Sequence, residues 1–134
     1  MKIKLLFILL CFYSICDGQE DERISQVTFV QILNDNREEA IFYYQNNWGV
    51  LAEMGIKKGL AESYQILETP YTEEEPFHLI LIVTFFNREQ YLNRHGEHFQ
   101  QLLKEKGPDI LMNDKKPAEF CKVMFKKEMV KHLH

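Results

Sequence analysis

Residues Phe77 to Phe86 read FHLILIVTFF and leave almost no polar position on either side of an extended chain. Successive strand side chains point to opposite faces. Phe77, Leu79, Leu81, Val83 and Phe85 therefore share one face, and His78, Ile80, Ile82, Thr84 and Phe86 share the other. An antiparallel strand with one wet face alternates apolar and polar residues, so this run predicts a strand covered on both sides. Ile24 to Leu33 (ISQVTFVQIL) is a second strand by its β-branched and aromatic content. Leu60 to Glu68 (LAESYQILE) and Phe120 to Lys127 (FCKVMFKK) are two more.

The period changes between these runs. Ile41, Tyr44, Trp48 and Leu51 recur at three- and four-residue spacing, which predicts a helix from Arg37 to Lys58. Asn34 and Asp35 precede it, and Glu38 and Glu39 lie in its first turn, where the helix dipole favours acids. Lys57, Lys58 and Gly59 mark its end. The internal Gly49 and Gly55 each weaken it by about 1 kcal/mol against Ala, which points to close packing. Asn87 caps a second helix with Leu92, His95, Phe99, Leu102 and Leu103 as one stripe, ending at Gly107-Pro108. Thr69 to Pro76 is a polar loop, and PDILMNDKKPAE connects the second helix to the last strand.

The order βαββαβ predicts an α+β, ferredoxin-like fold: a four-stranded antiparallel sheet with two helices on one face. The helices cover only that face, so the side carrying Ile80, Ile82 and Phe86 needs another cover. The same face of a second copy, joined by two-fold symmetry, would supply it. In this order, in the two-sided third strand and in NNWGVLAEMGIKKGLAESYQILE, the chain resembles the dimeric α+β barrel superfamily over residues 24–127. Within it, the resemblance is to small uncharacterised exported proteins of Bacteroidetes-type bacteria. The superfamily includes cofactor-free monooxygenases, haem-degrading and chlorite dismutase-like haem proteins, stress-responsive barrels and members without known activity. Membership selects no single chemistry.

Composition sets the address and excludes some partners. Lys2 and Lys4, the apolar stretch Leu5 to Ile15 and the small Gly18 describe a secretory signal peptide over residues 1–18, cut before Gln19. Its apolar stretch is too short for a membrane span, which needs about 20 residues. The competing reading is a lipoprotein acylated at Cys16, which Ile15 fits poorly because a small residue normally precedes that cysteine. The expected product is periplasmic or secreted, with no membrane attachment once cut. It comprises a polar leader (19–23), the domain (24–127) and a C-terminal tail (128–134). Loss of the signal peptide shifts the formal net charge from −4 to −5, which disfavours nucleic acid as a partner. Cys121 is then alone, so no internal disulfide can form and the core must hold the domain.

Chemistry-bearing residues are few. His95 and His98 form an H-x-x-H pair on one helix face, where both imidazoles could reach a metal or a haem edge. No third ligand stands at zinc-site spacing, and His95 lies on the apolar stripe, which favours packing. His78 opens the third strand, either at the rim of the barrel interior or simply at a wet strand end. Asn46, Asn47 and Trp48 are reminiscent of the Asn, Trp and His set of haem-degrading members. There the Asn and Trp come from strands, whereas here all three fall in a helix, so none is carried over. Cys121 has Lys122 on the opposite face and reads as inert and buried. No catalytic constellation, metal set or cofactor motif emerges. The expectation is a homodimeric, non-catalytic module holding a small apolar or aromatic molecule, or a stress-type barrel. The alternative is a cofactor-free or haem-dependent monooxygenase, with His78, His95 and His98 as its candidate site residues.

Overall fold

The computed structural model describes residues 20–133. The expected signal peptide, its cleavage site and Cys16 lie outside the described residues. Strand β1 is Ile24–Ile32, and Asn34 and Asp35 then turn the chain with positive φ, which short polar side chains tolerate. The first helical region begins as α1 (Arg37–Tyr43), widens into a π-helical segment (Tyr44–Gly49) and returns as α2 (Val50–Lys57). The side-chain amides of Asn46 and Asn47 donate to the carbonyls of Phe42 and Tyr43, four residues back, where the widened turn has displaced the backbone ladder. Gly59 closes α2 at positive φ: its N–H reaches the Ile56 carbonyl, and the Leu60 N–H reaches that of Gly55.

Strands β2 (Ser63–Glu68) and β3 (Leu79–Phe85) follow, both shorter than the sequence predicts. Phe77 precedes β3 and turns onto the face opposite Leu79, where its ring meets Phe29 and Phe125. Asn87 caps α3 (Arg88–Leu92) as expected, its Oδ1 accepting the Gln90 N–H at 3.0 Å. The second helix is not continuous. A turn over Asn93–Gly96 separates α3 from α4 (Glu97–Lys106), and Gly96 is extended there. The predicted stripe fails accordingly: Leu92 is 60% exposed and His95 is exposed, while Leu102 stays buried. A short α5 (Pro117–Phe120) leads into β4 (Cys121–Lys131), which runs four residues past its predicted end.

The sheet order is β2-β3-β1-β4 with every neighbouring pair antiparallel, the ferredoxin-like arrangement. In the single chain the sheet is open rather than closed into a barrel. Its helix-covered face carries Ile24, Val30, Ile32, Leu79, Leu81 and Phe85, all buried. The other face carries Phe29 stacked on Phe125 at 4.4 Å, with Ile80, Ile82 and Leu67 beside them. No helix among the described residues is long and apolar enough to cross a membrane.

Candidate functional site

The core on the helix side is divided. One cluster joins Val30, Ile32, Leu79 and Leu81 to Ala40, Tyr44 and Phe120; the other joins Ile24 and Phe85 to Ala61 and Tyr91. Between them β1 presents Gln26 and Thr28 toward the helices, at positions where its alternation would otherwise place apolar residues. Above these two lies a cavity of about 480 Å³ between sheet and helices, within the size range of small-molecule sites. Trp48, Leu51, Leu81, Val83, Phe99 and Leu102 form its apolar walls. A Cβ at Gly55 would stand 3.8 Å from a Leu102 methyl, an ordinary contact, so the close packing expected at this glycine is not what the structure shows.

The polar groups gather at the Gln26 end. Arg94, in the turn between α3 and α4, is fixed by three hydrogen bonds. Its Nη1 donates to the Tyr91 carbonyl at 2.9 Å, its Nε to Gln26 Oε1 at 3.3 Å and its Nη2 to Glu128 Oε1 at 3.4 Å. Its guanidinium carbon also lies 4.0 Å from the Tyr91 ring centre, a cation–π contact. Lys126 stands across from Thr28 in the β1–β4 ladder and reaches the cavity from the edge strand. Glu89, His95 and His98 border the opening, with the His95 ring edge-on to Phe99 at 5.6 Å.

The three expected histidines therefore separate. His95, in the turn before α4, and His98, in its first turn, both line the cavity and are exposed at its mouth. His78 lies elsewhere: its Nδ1 accepts the Ile32 N–H at 3.0 Å and its ring stacks on Tyr71, closing the end of the β1–β3 ladder. That is a structural use of the imidazole. Trp48 belongs to both core and site, packing against the first cluster while lining the cavity and meeting Tyr64 edge-on. Asn47 is a clamp, its amide holding both the N–H and the carbonyl of Ile110 at 2.7 and 2.8 Å. Cys121 donates toward the Pro117 carbonyl, and burial pushes its thiol above the ordinary range, which suits an inert residue. Tyr44, buried beside it, is also pushed up by desolvation. Among the described residues no group of three or more His, Cys, Asp or Glu could hold a metal ion.

Sequence reading missed Gln26, Thr28, Arg94 and Lys126. The first two carried a usable mark, since a polar pair in one register of an otherwise apolar central strand breaks the pattern of a filled core. Arg94 and Lys126 carried none, because surface cations are common.

No family model matches the chain, and no curated protein does. Two solved structures are similar in fold. HapK from Hahella chejuensis matches with a TM-score of 0.46 at 8% identity, over 77% of this chain and 87% of its own. A dimeric ferredoxin-like protein of unknown function from Bacteroides fragilis matches with a TM-score of 0.47 at 10% identity, over 81% and 98%. At this level of likeness neither protein's activity nor its assembly transfers to this chain.

Proposed function

We propose that this protein binds a small apolar or aromatic molecule in the cavity between sheet and helices, without turning it over. The observation that carries the reading is the divided core: a domain of this size leaves about 480 Å³ open where its two inner strands could have packed. An open cleft of this size with apolar walls and a few polar groups at one end has the make-up of small-molecule sites, which supports the reading. Ala52 lines the cavity from α2, and Ala52→Phe would fill it. Nile red, a neutral apolar dye, should brighten with the wild-type protein. With Ala52→Phe that binding should fall at least about tenfold while far-ultraviolet circular dichroism stays unchanged. Equal binding by both proteins would rule out the cavity as the site.

His95 and His98 at the opening favour one second reading, a monooxygenase that uses the same cavity, cofactor-free or with haem held by one imidazole. Haemin titration separates the two: a histidine-ligated Soret band lost in His95→Ala or His98→Ala supports haem, and an unchanged spectrum removes that branch. The open sheet face supports a homodimer in either case. Phe29, Phe77 and Phe125 form an aromatic group there, and Leu67 and Phe125 are 43% and 42% exposed.

A further inference from the structure

The polar end of the cavity is built almost entirely from donors. Arg94 occupies Gln26 Oε1, which leaves the Gln26 amide NH2 without a hydrogen-bond partner among the described residues. The Thr28 hydroxyl beside it likewise has none. Lys126, across the ladder from Thr28, forms no ion pair among the described residues and stands exposed on the edge strand at the rim of the cavity. Arg94 itself has only the long Glu128 contact to balance its charge, and its side chain is 15% exposed. Two cations and two neutral donors thus converge, and Glu89, exposed on α3, is the one carboxylate bordering the cavity among the described residues.

We propose that the cavity selects an amphipathic acid: a carboxylate set against Gln26, Thr28, Arg94 and Lys126, with an aromatic or apolar body between Trp48 and Phe99. This rests on the cavity-binding reading and adds the charge of the ligand to it. A carboxylate accepts hydrogen bonds at both oxygens and supplies the negative charge that the floor lacks. An uncharged ligand would leave the same donors desolvated and unpaired, which disfavours it. Placing the cations at one end and the apolar walls at the other also fixes the ligand's direction.

Trp48 is the only tryptophan, so its indole N–H gives one assignable resonance in a 1H–15N spectrum. That resonance is followed while 2-naphthoate and its neutral counterpart 2-naphthalenemethanol are titrated into the full domain. The acid should bind at least about tenfold more tightly than the alcohol. The preference should shrink as salt is raised, and it should fall several-fold in Lys126→Met, whose fold is checked by the rest of the spectrum. If acid and alcohol shift the indole signal with equal affinity, the anion selectivity is wrong and the cavity reading stands. If neither shifts it, both are wrong. An acid preference that survives in Lys126→Met and is insensitive to salt would also overturn the assignment.

Discussion

Asn47 shows how one side chain can decide the path of a loop. It is only 3% exposed, and its amide satisfies the Tyr43 carbonyl and both backbone groups of Ile110. Truncation to Ala would strand those groups, at about 1–3 kcal/mol for the set. Urea unfolding of Asn47→Ala should show a loss of about 2 kcal/mol, and a loss under about 0.5 kcal/mol would mean that the clamp carries little. The sequence marked Asn47 as a residue of interest, but for a resemblance it does not fulfil. Its partner is 63 residues away, and no local pattern announces such a contact. Gln26 and Thr28 differ: their register alone sets them among apolar neighbours, so the alternation along β1 is enough to mark this part of the site. His78 stands just before β3, and its bond to the Ile32 N–H depends on a register that sequence does not give.

At the scale of elements, the four strands and their order follow from alternation and β-branched content, and the helix starts and stops from Asn87, Gly59 and Gly107. What failed was continuity. Within the π-helical widening Asn46 and Asn47 bond backward to the Phe42 and Tyr43 carbonyls, and the break at Asn93–Gly96 defeats a stripe that periodicity alone supports. The far end of β4 was also hidden. A bulge with Met129 at positive φ re-aims that side chain onto the Ile24–Phe85 cluster, and Ser25 Oγ then lies 2.8 Å from both Thr84 Oγ1 and His132 Nε2. The connection between α4 and α5 is tied to α1 by Lys115, whose ammonium sits 2.6 Å from Glu39 and holds that carboxyl down to about 2. A lowered acid stabilises the fold above the ordinary carboxylate range and loses that contribution as pH falls toward its folded value. Amide exchange in residues 113–116 should therefore rise as pH drops from about 5 to about 2, after correction for intrinsic rates. Lys115→Met should flatten that rise, and an unchanged pH response would mean the pair does not hold the loop.

For the whole molecule, two sheet faces carry two different tasks. The helix-covered face encloses the cavity, and the open face presents an aromatic surface suited to a second copy. Sedimentation of residues 19–134 should give a dimer at micromolar concentration. Ile82→Asp, which places a charge at the centre of the open face, should return a folded monomer or abolish folding. A wild-type monomer would refute the pairing while leaving the cavity untouched. Because both faces are apolar, binding alone does not locate a ligand, so the decisive measurement is one of position. Isotope-filtered nuclear Overhauser spectra of the labelled protein with 2-naphthalenemethanol should show contacts from the ligand to the Trp48 ring and the Leu102 methyls, inside the cavity. Contacts to Phe29, Phe77 and Phe125 instead would place the ligand on the open face and contradict binding in the cavity.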